Sequence, residues 1–502
     1  VSPLMMGLTL WAFLWGTRRL LDARGQIILV VLLTFQPITH FYYAAARPDH
    51  HSIILLCFAA VMAFLIRHAS TPEGNLRNVT WAGVITAVGI WVSVESLTIE
   101  LYALLALGVM WILTGTPQWL NALSRFTVAG ALTLAMALLI ERPPSDWLSS
   151  ETFDRLSTVQ VVLLALIALG VEGIKRGHTR FNDGFWGRLF PTTLAAGAAG
   201  LVMGALFPAF FKGPFSAAMD PRLDALWLSK VVEFQPLFGA GQSMALEIIF
   251  LLGPLVWGII WAIWAWRTAG RVPHLTAIIV VLGLSLALYA PLTMMQTRWG
   301  GYLGIAVIVP WALLLVKLLD WRGGPIVGPA PGTPALRTPL FLLVATGHLM
   351  VTSVYLTMGL EEKLPKVEQC QWRQIAPYLN STAFENGEPQ TFFNFIHTGP
   401  EILYRTPHRV VGTPYHRNTR GLWDSCTVLG GTDLAASKAI LQARHVDFVV
   451  LCVGTVDERL LLDFKGDTLL RRLIDVAPPP WLVEHPLPDG LNAAFRFYRF
   501  VP

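Results

Sequence analysis

Three short polar constellations interrupt an otherwise apolar sequence, and each carries side chains able to handle charge. Arg47-Pro48-Asp49-His50-His51 sets a carboxylate beside two imidazoles. Oxygen and nitrogen donors one and two residues apart can supply ligands to a divalent cation. The same Asp49 can instead cap the following helix by accepting from its unsatisfied N–H groups. Lys230-Val231-Val232-Glu233-Phe234-Gln235-Pro236 places a carboxylate between apolar neighbours in a long connection. There it can reach a site beneath the loop, or sit on a solvated stretch with helical character around 223–232. Gln296-Thr297-Arg298-Trp299 puts a guanidinium in a short turn. It can take a phosphate through two parallel N–H bonds, or snorkel at an interface beside Trp299. Glu95 and Glu100 stand at the outer ends of consecutive apolar runs. We read them as structural, Glu95 exposed to water in the turn 94–97 and Glu100 capping or pairing with an arginine.

The elements that must position these groups follow from composition. The chain has 502 residues, 54% hydrophobic and only 14% charged, with a mean hydropathy of +0.55. Ordinary soluble chains carry about 25% charge, so this is an α-helical polytopic membrane protein. Disorder, collagen-like repeats and a disulfide-stapled mini-domain are excluded. Four cysteines allow at most two bridges and say little about redox compartment. Twelve stretches are candidates to cross a hydrocarbon core of about 30 Å: 2–16, 26–41, 50–66, 79–94, 97–114, 125–141, 158–174, 189–211, 244–266, 274–295, 302–319 and 338–358. One alternate set of loops carries 15 Lys and Arg, the other 7. The positive-inside rule places the first set in the cytoplasm, so the constellations above and everything after residue 360 face outward. The net charge of +5 is therefore a topology signal, and no nucleic-acid partner is expected. Residue 1 lies outside on this alternation, so we expect an N-terminally truncated sequence with a thirteenth span upstream.

A Gly/Pro-rich segment at 323–334 reads as a cytoplasmic linker before the last span. The domains expected are therefore 1–360, multi-pass, and 361–502, an extracytoplasmic α/β domain. In the latter, 391–396, 410–412 and 448–452 read as buried strands, and 433–444 as a helix feeding the last of them. A dense polar and aromatic set runs from His397 through His408, Tyr415, His416, Arg417 and Asn418 to Asp424. It can read a sugar or polar acceptor, or dock the domain by hydrogen bonds. Gly430-Gly431-Thr432-Asp433 lacks the Lys and spacing of a phosphate-binding loop, and no hydrolase or Cys-x-x-Cys motif is present.

Together the order and topology of these sites resemble the catalytic subunit of oligosaccharyltransferases, in the GT-C glycosyltransferase superfamily. They are also similar to bacterial multi-pass proteins of unassigned function that carry an Asp-His-His element. In the oligosaccharyltransferase family that element lies in the second external loop, where Asp49-His50-His51 falls. A flexible fifth external loop carries a Glu followed by Gln-Pro, as Glu233, Gln235 and Pro236 do here. An Arg with an aromatic after it precedes the twelfth span, as Arg298-Trp299 does.

The resemblance covers roughly 1–360 in layout. It implies a membrane glycosyltransferase moving a sugar from a polyprenyl-phosphate-linked donor to an unknown acceptor at the outer face, in the bacterial inner membrane with a periplasmic C-terminal domain. Asp49, His51 and Glu233 would hold a divalent cation, Mg or Mn. Asp49 and Glu233 would be catalytic, and Arg298 would hold the phosphate. His408, Tyr415, His416, Arg417 and Asn418 would contact the acceptor. Asp49, His51, Glu233 and Arg298 are thus expected on one outward-facing cavity, with the C-terminal domain bordering it. Two departures stand out. The family's first-loop acidic residue would lie upstream of Val1, and its Trp-Trp-Asp motif is absent, which argues against an Asn-x-Ser/Thr acceptor. A transporter or lipid flippase, or a non-catalytic membrane scaffold, are the competing classes; the former would favour internal repeats and charges near the midplane.

Overall fold

Capping residues and prolines punctuate the apolar runs where helices must begin. Asp22 accepts from Gly25 N at 2.9 Å, and Asn75 accepts from Arg77 N at 3.0 Å. Ser157 and Gln160 form a reciprocal capping box, with Ser157 N donating to Gln160 Oε1 at 2.8 Å. Gly115, at φ +67°, closes one helix in the left-handed region before Pro117 opens the next. The computed structural model describes every residue except 46–49, 72, 148–151, 182–183, 215–218, 239–244, 270–272, 320–333, 358–369, 453–464, 489 and 491–494. The Gly/Pro-rich linker, and Asp49 itself, lie outside the described residues.

The helices are α1 (Ser2–Thr17), α2 (Ala23–Phe35), α3 (Pro37–Tyr42), α4 (His51–Ala69), α5 (Leu76–Val92), α6 (Leu97–Thr114), α7 (Pro117–Glu141) and α8 (Thr158–Arg176). They continue as α9 (Gly184–Leu206), α10 (Ala245–Ala269), α11 (Pro273–Met295), α12 (Gly300–Leu319) and α13 (Pro334–Thr357). Each expected span has a helix at its position, α2 and α3 together filling one. Among the described residues, seven helical segments are long and apolar enough to cross a membrane: those of α4, α6, α7, α8, α9, α11 and α12. Helices α2 and α5, and the described parts of α10 and α13, are apolar but shorter. Helix α12 is the hub, buried along nearly its whole length by Tyr302, Ile305, Ile308 and Trp311. Helix α9 instead turns Trp186, Phe190, Leu194 and Leu201 outward, a surface suited to hydrocarbon rather than water. Helices α5 and α7 approach closely because Gly83 faces the Phe126 carbonyl, where any Cβ would collide.

The chain divides into two compact units, Val1–Ala217 with Val232–Glu362, and Ala218–Val231 with Lys363–Pro502. A single boundary near 360 therefore leaves out one segment, because 218–231 groups with the C-terminal part.

The second unit is α/β. Its sheet runs β2-β1-β3-β5-β4, with β1 (Thr391–Asn394), β2 (Arg409–Val410), β3 (Phe448–Cys452), β4 (Leu482–Glu484) and β5 (Phe495–Phe500). Strands β1, β2 and β3 are parallel, while β5 pairs antiparallel with both β3 and β4. Alternating side chains serve two cores. Phe393, Val449 and Leu451 pack with Leu429, Leu441 and Leu469; Phe392, Phe448 and Val450 pack with Trp372, Ile375 and Phe384. A disulfide joins Cys370 to Cys452 at the end of β3, with Cα atoms 5.9 Å apart. The segment 218–231 adds Leu223 and Trp227 to a cluster with Ile396 and Leu422, and the Arg222 guanidinium lies 3.9 Å from the Trp423 ring centre.

Candidate functional site

Arg298 sits in a single 3-10 turn, Thr297–Trp299, between α11 and α12. The polar loop returns alongside it: Thr297 N donates to Gln235 O at 3.0 Å and Leu237 N to Met294 O at 3.2 Å. These bonds register Phe234 beneath the arginine, whose guanidinium carbon is 4.8 Å from the ring centre. Glu233, half-buried, is the residue before that ring. Trp299 stands 5.7 Å from the same guanidinium. Beneath lies an aromatic floor, with Tyr289 and Tyr302 stacked at 4.9 Å and Trp299 5.5 Å from Tyr302.

Two further groups complete the arrangement. Arg298 is ion-paired through Nη2 to Glu95 Oε2, with side-chain exposures of 16% and 4%. The expectation that Glu95 faces water is corrected. The 3-10 turn Val94–Ser96 folds its side chain inward, toward a cation 203 residues away in sequence. On the other side, the Tyr42 hydroxyl donates to Arg298 O at 3.5 Å, and its ring is 5.4 Å from that of His51. His51 is the first residue of α4 and is buried, stacked on His50 at 4.5 Å. Through Tyr42 and Phe234, His51 and Glu233 thus stand at the same end of the bundle as Arg298. Glu100 finds no arginine; it is buried in α6, and neither carboxylate oxygen has a hydrogen-bond partner among the described residues.

Such a site can bind an anion, because a guanidinium backed by aromatic faces in a poorly hydrated setting is a strong phosphate ligand. Among the described residues no group of three or more His, Cys, Asp and Glu side chains could hold a metal ion. Glu233 supplies a carboxylate oxygen, which suits Mg or Mn, and His51 an imidazole nitrogen, which suits later transition metals better; a third donor would have to come from Asp49.

In the second unit the expected acceptor residues separate. His408 is 2% exposed and packs 4.5 Å from Phe392. Its Nδ1 accepts from Gln390 N at 3.1 Å, and Nε2 donates to Leu379 O at 3.0 Å. Burial holds its pKa below the usual histidine range, partly offset by the bond to Leu379. It is a core histidine with no ring nitrogen left for an acceptor. Asn418 donates to Val411 O at 3.0 Å and Thr413 Oγ1 at 3.1 Å, pinning the loop after β2. Tyr415 is exposed, and His416 and Arg417 are half-buried. These three lie past the carboxyl ends of the parallel strands, the edge where open α/β sheets bind ligands.

Sequence reading missed Tyr42 and Phe234, and no local signal marks either; each matters only because the fold brings it to Arg298.

The chain has the fold of solved archaeal oligosaccharyltransferases. Three solved structures from Archaeoglobus fulgidus carry the likeness. The archaeal oligosaccharyltransferase AglB in complex with an inhibitory peptide and a dolichol-phosphate has a TM-score of 0.68 at 13% identity, over 92% of this chain and 59% of that one. The oligosaccharyltransferase tethered to an acceptor peptide with the NVT sequon has a TM-score of 0.65 at 13% identity, with the same coverage. Its complex with Zn and sulfate has a TM-score of 0.60 at 13% identity, over 100% of this chain and 61% of that one. The chain spans about three fifths of the length of these structures. It matches no family model and no curated protein.

Proposed function

We propose that the protein is a membrane glycosyltransferase that moves a sugar from a polyprenyl-phosphate-linked donor to an acceptor at the extracytoplasmic face. The observation that carries this is Arg298, seated over Phe234 and ringed by Trp299, Glu95 and the Glu233 segment. As the glycosidic C–O bond breaks, negative charge develops on the leaving phosphate, and a preorganised guanidinium stabilises it. The dolichol-phosphate bound to the similarly folded AglB supports a lipid-linked donor. Asp49, His51 and Glu233 would hold a divalent cation, Mg or Mn, which would supply further charge stabilisation. Zn and sulfate in a neighbour's crystal are in keeping with that expectation. Glu233 would act from the loop, whose backbone is tied to the Arg298 turn, so loop order and phosphate binding would be coupled. Tyr415, His416 and Arg417 are the residues left to meet an acceptor in the second unit. The disulfide Cys370–Cys452 supports an oxidising, extracytoplasmic setting for that unit.

The test is transfer from a polyprenyl-phosphate-linked sugar by the protein in nanodiscs, read as release of polyprenyl phosphate by mass spectrometry. Arg298→Ala should lower turnover on the order of 100-fold, the scale of removing one transition-state donor. Unchanged release would end the reading.

A further inference from the structure

Glu95 is built into place from several sides. Ser93 Oγ accepts from Glu95 N at 3.4 Å, and Thr98 Oγ1 donates to Glu95 O at 2.9 Å. The Tyr289 hydroxyl of α11 lies 3.2 Å from that same Thr98 oxygen. Close packing holds the turn as well, since a Cβ on Gly89 would come 3.0 Å from Ser96 Oγ. The carboxylate fixed this way is almost wholly buried and takes Nη2 of Arg298, while Nε of the same guanidinium, also buried, donates no hydrogen bond among the described residues. An arginine side chain has many rotamers, and the Phe234 ring 4.8 Å from the guanidinium carbon removes only part of that freedom. An anchor on one nitrogen removes that remaining freedom and leaves another edge of the fork for an incoming anion.

We propose that Glu95 is the positioning residue for Arg298, holding the guanidinium over Phe234 with one nitrogen engaged so that its remaining N–H donors meet the phosphate of a polyprenyl-phosphate headgroup. This rests on the reading above that Arg298 binds that phosphate. Glu95 itself touches no substrate. Its carboxylate also balances the cation, so the buried guanidinium carries no uncompensated charge.

The test measures dissociation constants for farnesyl phosphate on the full chain in nanodiscs, well below the melting temperature, with farnesol and inorganic phosphate as comparison ligands. Farnesyl phosphate should bind more tightly than either. Glu95→Gln keeps the shape of the side chain but loses the anchor, and should weaken farnesyl phosphate binding by about tenfold or more, the scale on which small misplacements of a binding group are felt. Glu95→Asp keeps the charge one methylene short and should weaken it by an intermediate factor. Farnesol binding should be unchanged in both. Glu95→Gln binding as tightly as the parent, or more tightly, would overturn the proposal, the second outcome marking Glu95 as a competitor for the arginine. If Glu95→Gln does not fold, parent-like affinity in Glu95→Asp overturns it instead. Arg298→Ala separates the two levels: loss of binding there with no effect at Glu95 rejects only the positioning role, whereas unchanged binding in Arg298→Ala rejects the phosphate site itself. Inorganic phosphate binding as well as farnesyl phosphate would overturn the lipid headgroup as the ligand.

Discussion

At Gly301, on the first turn of α12, the absence of a side chain decides how closely Tyr42 can approach. A Cβ there would stand 2.8 and 2.9 Å from two carbons of the Tyr42 ring, a ring that links His51 to the backbone of Arg298. Gly301→Ala should destabilise the protein by about 1–3 kcal/mol, the usual cost of overpacking. Tyr42→Phe, which keeps the ring and loses the hydroxyl's 3.5 Å bond to Arg298 O, should cost less than about 1 kcal/mol. Thermal melts of the two variants in detergent would check the order, and a reversal would mean that the hydroxyl matters more than the ring. His408 gives a pH prediction. Its folded pKa lies below the unfolded 6.5 because burial disfavours the charged ring. Its contribution is therefore complete above about pH 6.5 and declines as pH falls from there toward the folded value. His485, also lowered by burial, acts in the same direction. Amide exchange in β1 and β2, corrected for intrinsic rates, should accelerate between pH 7.5 and 5.5, and His408→Gln should flatten the response. Little of this was legible one residue at a time. Glu95 and Glu100 look alike in sequence, two acids near the ends of apolar runs, and only a partner 203 positions away distinguishes them.

Elements were more legible, because periodicity is local. The helices stand where apolar runs of sufficient length predict them, and β1, β3 and the helix Leu434–Ala443 follow from short buried runs and an Asp433 cap. Strand β5 went unnoticed although Phe495 and Phe497 alternate with Arg496 and Tyr498; it pairs antiparallel with β3. The disulfide was equally hidden, since four cysteines permit several pairings and only β3 brings Cys452 to Cys370. Closing a loop across 82 positions constrains the unfolded chain by about 4.5 kcal/mol on the entropic account. The Cys370→Ser, Cys452→Ser variant should accordingly lose about 2–4 kcal/mol in the second unit alone. Hydrogen exchange would read this as faster opening of β1, β3 and β5 with the helices of the first unit unchanged. Uniform acceleration across both units would contradict it.

For the whole molecule, orientation rests on the asymmetry of 15 against 7 basic residues in alternate loops. Protease added to intact spheroplasts should remove the region after 361, and a maleimide-PEG shift at Cys370 and Cys452 should appear only after reduction. Protection of that region together with modification of all four cysteines under denaturing, non-reducing conditions would turn the protein over in the membrane, and with it the proposed face of reaction. The excursion of residues 218–231 also bears on how such a protein can be taken apart. A gene fragment starting at 363 would encode Ile396 and Leu422 without Leu223 and Trp227, the side chains that complete their cluster, and would present a raw apolar patch. A fragment stopping at 362 would carry the same two residues with nothing to bury them. The C-terminal unit is thus not a portable module. Exchanging it between related chains requires two simultaneous crossovers, and recombination that moves only the tail leaves both products with a mismatched seam.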